Sequence, residues 1–171
     1  MPSKLETHID AIIDAVIKAE VGNKPNGGLT NDPADGGGRT QYGISEKYNP
    51  EAWADGKVTE DESRAIYFKK YVWAPGFDKV KDDTLRHVLV DWGVTSGPAV
   101  AIKYLQALVG VKSDGVMGSK TLEAVNKAES RGLTNKLVGE RLKMIARIVQ
   151  ARSSQLKYLE GWVNRCVEFL K

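Results

Sequence analysis

Apolar residues in this chain return at helical spacing and almost nowhere at strand spacing. Ile9, Ile12, Ile13, Val16 and Ile17 fall at i, i+3, i+4, i+7 and i+8, one face of a helix expected from about Lys4 to Val21. Thr59-Glu60-Asp61-Glu62 is a capping box, opening a helix that carries Ala65, Ile66, Phe68, Tyr71, Val72 and Trp73 and stops before Pro75. A third helix begins near Asp82 or Asp83 and carries Leu85, Val88, Leu89 and Trp92. Ser96-Gly97-Pro98 starts a fourth, with Pro98 at the first helical position, which buries Ile102, Leu105, Leu108 and Val109 and ends at Gly110. Val111 to Gly118 read as a tight turn, and Ser119 caps a short helix over Leu122 and Val125. A longer helix then runs from about Thr134 to Arg152 or beyond, with Leu137, Leu142, Ile145, Ile148 and Val149 inward; Leu156, Leu159, Trp162 and Val163 follow in the tail. Strand patterning leaves room for a short hairpin within residues 27–46 at most. The expected fold class is all-α.

The chain of 171 residues is long enough to bury a core without staples. Cys166 is the single cysteine, which excludes an internal disulfide; its helical spacing from Trp162 and Val163 suits packing. With His8 and His87 the only histidines, a zinc hydrolase is poorly supplied with ligands, so no metal and no cofactor is expected. Asp10, Asp14 and Lys18 interrupt the N-terminal apolar pattern, so an export signal is not expected, nor is a membrane span. Synthesis in the cytosol is the default, and a target outside the cell would require a release factor.

The net charge of +3 conceals an asymmetry. Residues 1–96 carry 12 Lys and Arg against 16 Asp and Glu, a balance of −4; residues 97–171 carry 13 against 6, a balance of +7. A basic half points to an anionic polymer as partner, either nucleic acid or an anionic cell wall or outer-leaflet surface. The sign changes at Ser96-Gly97-Pro98, which divides the chain into lobes 1–95 and 96–171 that can share one core.

Glu20 is the odd residue on the first helix. The next positions on the apolar face are 19, 20 and 21, while Asp10, Asp14 and Lys18 already supply the polar face. Gly22 stops the helix and leaves Glu20 in its last turn. Desolvation against the apolar face and the negative end of the helix dipole would both favour the neutral acid, the form a general acid needs. The loop that follows, Asn31-Asp32-Pro33-Ala34-Asp35-Gly36-Gly37-Gly38-Arg39-Thr40-Gln41-Tyr42-Gly43-Ile44, supplies two more carboxylates, hydrogen-bonding groups and a flat ring. It lacks the Gly-Lys-Ser/Thr ending of a phosphate-binding loop and the ligand offsets of an EF-hand. A helix-end acid followed by a second carboxylate and a hydroxyl is the equipment of a glycosidase.

These residues carry a resemblance. Glu20-Val21-Gly22, then Asn31 through Gly37, then Thr40-Gln41-Tyr42-Gly43-Ile44 are similar to the glycosyl hydrolase 108 family of lysozyme-like muramidases, many of them bacteriophage endolysins. Trp92 to Pro98, Leu105-Gln106, Gly110-Val111 and Asp114 to Thr121 resemble the predicted peptidoglycan-binding segment that accompanies that hydrolase. The resemblance implies a lysozyme-like, mainly helical fold and hydrolysis of the β-1,4 bond between N-acetylmuramic acid and N-acetylglucosamine. It makes Glu20 the catalytic acid and Asp32 and Thr40 its active-site companions. Asp35, Gln41, Tyr42 and Trp73 are then candidates for substrate binding. Peptidoglycan is the implied partner, the protein a monomer that acts with a holin-type release factor from the host cytoplasm. Two departures stand out: Val21 and Asn23 where the family has glycine and tyrosine, and Thr95 where asparagine is expected. They support the alternative of a non-catalytic wall-binding or secretion-activating protein. Trp53, Trp73, Trp92 and Trp162 suit packing before sugar stacking, Asp91 an ion pair or cap, and Asp114 its own turn.

Overall fold

The computed structural model describes residues 2–31 and 38–170, arranged in two compact units, Met1–Ala74 and Pro75–Lys171. The fold is mainly helical, with one two-stranded antiparallel sheet.

In the first unit, helix α1 spans Lys4–Val21 and buries Ile9, Ile12, Ile13, Val16 and Ile17, the stripe legible in the sequence. Ser3 caps it in a reciprocal box with Glu6. Strands β1 (Thr40–Gln41) and β2 (Ile44–Ser45) form a hairpin, and Thr30 extends it by bridging to Thr40. Short 3₁₀ turns at Glu46–Tyr48 and Pro50–Trp53 lead to α2, Glu60–Tyr67. The Thr59–Glu62 capping box forms as expected, with the Thr59 amide donating to Glu62 Oε2 at 2.8 Å. The α-helix does not continue to Pro75. From Phe68 to Trp73 the chain widens into a π segment, in which the Ala74 amide donates five residues back to the Lys69 carbonyl at 3.0 Å. That turn faces Val72 inward and leaves Phe68 and Trp73 exposed.

The second unit is a helical cluster. Helices α3 (Asp83–Ser96), α4 (Pro98–Leu108), α5 (Ser119–Lys127), α6 (Ser130–Ala151) and α7 (Leu159–Val167) follow in order. α3 packs on α4 and α6, and α6 on α4 and α7. α3 belongs to this unit by packing, although it lies in the acidic part of the chain, residues 1–96. α6 begins at Ser130, four residues before Thr134, because the Glu129 carboxylate accepts from the Arg131 and Gly132 amides. Its buried stripe is Leu133, Thr134, Leu137, Val138, Arg141 and Ile145, while Leu142, Ile148 and Val149 are only half-buried. Gly118, not Ser119, occupies the cap of α5, and no side chain bonds there.

Two polar clusters hold this unit. Asp91, buried on α3, accepts from Arg141 Nη1 at 2.6 Å and from Arg165 Nε at 2.7 Å, which ties α3 to α6 and α7. The Gln106 amide, also buried, donates to Asp114 Oδ1 at 2.9 Å and to Thr121 Oγ1 at 3.0 Å, and accepts from the Gly115 amide at 2.9 Å. Gln106 thus organises the Asp114–Gly118 turn, and its hydrogen bond, with that of the Val116 amide, holds the Asp114 carboxyl below its ordinary range. Cys166 is buried, and that burial pushes its thiol up. Among the described residues no helix is long and apolar enough to cross a membrane.

Removing one partner of a buried pair leaves the other charge uncompensated. Asp91→Ala should therefore destabilise the fold by about 3–5 kcal/mol, read as a lower urea midpoint; a midpoint within error of wild type would show that the arginines are satisfied without it.

Candidate active site

The end of α1 sets the position of Glu20. Gly22 takes a positive φ of 62° and its amide closes on the Lys18 carbonyl at 2.8 Å, so Glu20 stands in the last turn. The desolvation expected from the helical wheel is not there. The buried stripe ends at Ile17, and the helix continues for a further turn with Glu20 exposed.

What surrounds Glu20 comes from the hairpin and from α2. Tyr42 and Gly43 form the two-residue turn, both with positive φ, 50° and 75°. A Cβ placed on Gly43 would lie 2.3 Å from the Tyr67 hydroxyl oxygen and 3.3 Å from Glu20 Cβ, so the turn must be a glycine for the three to meet. Tyr67, buried on α2, donates its hydroxyl to the Tyr42 carbonyl at 3.1 Å. The Tyr42 ring lies against Gly27, where a Cβ would approach it to 2.5 Å. One turn beyond Tyr67, the Tyr71 ring stands 5.8 Å away, centroid to centroid. Burial first, then the negative charge of Glu20, push the Tyr71 phenol above its ordinary value. Arg64 pins α2 to α1 from the other side, with ion pairs to Asp14 and, at 3.2 Å, to Asp10.

The sequence-predicted residues divide. Glu20 lies beside Gly43, the residue that follows Tyr42, while the Tyr42 ring itself lies against Gly27. Thr40 lies two residues before that turn, half-buried in β1 and paired with Thr30. Gln41, expected to bind substrate, is buried instead: its amide donates to the Asn26 carbonyl at 3.0 Å and accepts from the Val58 amide at 2.9 Å, so it fastens the hairpin to the neighbouring loops. Trp73 is 61% exposed at the end of the π segment and presents an open ring. Asp32 and Asp35 lie outside the described residues. Arg39 was not singled out by the sequence. It forks onto Glu46 at 2.9 and 2.7 Å, covers the Trp53 ring at 4.8 Å, and so braces the hairpin where the described chain resumes. That pairing draws the Glu46 carboxyl down. Tyr67 and Tyr71, also missed as site residues, carry a signal in hindsight: two phenols at i, i+4 behind a capping box share one face of a helix. Among the described residues no group of three His, Cys, Asp or Glu side chains could hold a metal ion.

Residues 15–97 match the Glycosyl hydrolase 108 family, and residues 100–167 match the Predicted Peptidoglycan domain. The chain carries a glycosyl hydrolase 108 segment. A solved structure titled "Structure of Brucella abortus SagA" is similar over 96% of this chain and 92% of that chain, with 28% identity and a TM-score of 0.75. No curated protein matches. The glycosyl hydrolase 108 segment opens within α1, ahead of Glu20, and ends after α3; the peptidoglycan segment takes in α4 through α7. A glycoside hydrolase segment followed by a peptidoglycan domain is the layout of a cell-wall hydrolase.

The Gly43 contact has a testable signature. Gly43→Ala should destabilise by about 2–4 kcal/mol, from the positive φ and the clash with the Tyr67 oxygen. In a Tyr67→Phe background, which removes that oxygen, the same substitution should cost at least about 1 kcal/mol less; equal costs in both backgrounds would place the strain elsewhere.

Proposed function

We propose that this protein is an endolysin-type N-acetylmuramidase, cleaving the β-1,4 bond between N-acetylmuramic acid and N-acetylglucosamine. The observation that carries the reading is Glu20: an exposed acid at a helix end, its stem beside the Gly43 turn, inside the segment that matches a glycoside hydrolase family. In this reading Glu20 gives its proton to the leaving glycosidic oxygen as the C–O bond breaks. Water attacks the oxocarbenium-like centre, with Asp32 or Thr40 placing it or steadying the charge. Tyr42 and Trp73 offer rings to the sugars, and Asp35 a further carboxylate. The peptidoglycan segment, in the half that carries a balance of +7, keeps the enzyme near an anionic envelope by long-range attraction. As an endolysin the protein works as a monomer, made in the host cytoplasm and admitted to the wall by a holin-type factor.

The test is clearing of permeabilised Gram-negative cells or purified wall. Wild type clears them, and Glu20→Gln should lose about 10²–10⁴-fold in rate, the contribution of a general acid. Muropeptides from the digest should carry a new reducing end on muramic acid; one on glucosamine, or free peptide, would assign a different bond. Val21 and Asn23, where the family has glycine and tyrosine, favour one second reading, a wall-binding protein without the reaction. Wall that sediments with the protein yet never clears would establish it. Raising ionic strength from about 0.01 to 0.15 M shortens the screening length to about 8 Å, and wall retention should fall with it; salt-insensitive retention would count against electrostatic capture.

A further inference from the structure

We propose that the cavity between the first turns of α3 and α6 is a sugar subsite, which takes one uncharged N-acetylhexosamine unit of the glycan. The inference rests on the wall-hydrolase reading and gives the peptidoglycan segment, which supplies α6, a place of contact.

The cavity lies wholly within the second unit and holds about 330 Å³, at the small end of ligand sites and suited to a single ring. Asp82 and Thr84 line it from the start of α3, Arg131, Thr134 and Asn135 from α6, and Phe169 from the chain beyond α7. Thr134 is the telling residue. It is 3% exposed, and its hydroxyl has no hydrogen-bond partner among the described residues. Buried polar groups are ordinarily paired, and a helical threonine has the carbonyls of the preceding turn within reach. Here that bond is not made, which leaves the hydroxyl to donate to whatever the cavity admits.

The charges around the cavity select what enters. Both helix starts would attract an anion, but each already holds a carboxylate of the chain. Asp82 accepts from the Leu85 amide at 2.7 Å, and Glu129 from the Arg131 amide at 3.0 Å. With Asp82 and Arg131 as its charged residues, the lining carries no net charge. An acidic stem peptide would face both carboxylates; an uncharged sugar meets no such repulsion. An acetamido sugar also matches the remaining groups. Its carbonyl suits the Thr134 hydroxyl, its own hydroxyls suit Asp82, Thr84 and Asn135, and its methyl suits Phe169. The Phe169 ring is braced by His87, edge-on at 4.9 Å between centroids.

The experiment uses the full chain carrying Glu20→Gln, so that the probe is not consumed, ¹⁵N-labelled and titrated by NMR with N,N′-diacetylchitobiose. The amides of Thr84, Arg131, Asn135 and Phe169 should shift along one saturation curve. Thr134→Val, which replaces the hydroxyl by a methyl of the same shape, should weaken this binding about 3–10-fold without lowering the urea midpoint. Asn135→Ala, at an exposed position, should weaken it too. A lowered midpoint with unchanged affinity in Thr134→Val would make the threonine structural and overturn its role. No shift at these amides, or shifts only around Glu20 and Gly43, overturns the subsite and leaves the muramidase reading standing. Stronger binding of an alanyl-glutamate dipeptide than of the disaccharide overturns the sugar as ligand. Saturable binding here, with wild-type chain that never clears wall, upholds the subsite and instead removes the muramidase reading.

Discussion

The candidate site depends on one missing side chain. At Gly43 the hairpin turn touches both the end of α1 and the hydroxyl of Tyr67, and there is no volume for even a methyl group. Three elements distant in sequence are thereby held in one arrangement: a helix terminus, a two-residue turn with both φ values positive, and the face of a second helix. Around that point the supports are redundant. Gln41 fastens the hairpin from beneath, Arg39 and Glu46 brace it from the side, and Arg64 fixes α2 to α1. The Glu20 stem lies beside this turn, while the residue itself stays exposed.

The second unit is built on a different principle. Its helices are joined by polar groups placed inside an otherwise apolar cluster, Asp91 among two arginines and Gln106 among turn atoms. Such networks contribute less to stability than apolar packing of equal volume, but they penalise any other register of the helices. For a module that presents a surface to a polymer, a single helix register matters more than depth of core.

Much of this architecture is legible in the sequence where the signal is local. The α1 stripe, the Thr59 capping box, the Asp82 start and Pro98 at a first helical turn are all written in contiguous residues, and each forms. The hairpin falls within the window left for it. What failed depends on contacts far apart in the chain. The helical wheel places Glu20 beside apolar residues but cannot show that the packing partner ends a turn earlier. Gln41 reads as a ligand-binding amide because its acceptor and donor, Asn26 and Val58, are 15 and 17 residues away. The stripe of α6 slips toward its N-terminus because Glu129 caps it earlier than the apolar pattern begins, and because Arg141, a charged residue, occupies an inward position opposite Asp91.

The π segment has a meaning beyond its shape. An α-helix advances about 100° per residue, so one extra residue accommodated in a widened turn is a phase change, not a lengthening. Dropping a single residue between Phe68 and Trp73 would restore ordinary helical hydrogen bonding and improve local backbone geometry. It would also swing Tyr71 about a quarter-turn away from Tyr67 and exchange the buried Val72 for a neighbour. A chain shortened by one residue in that stretch would keep its α2 capping box but set a different side chain beside Tyr67.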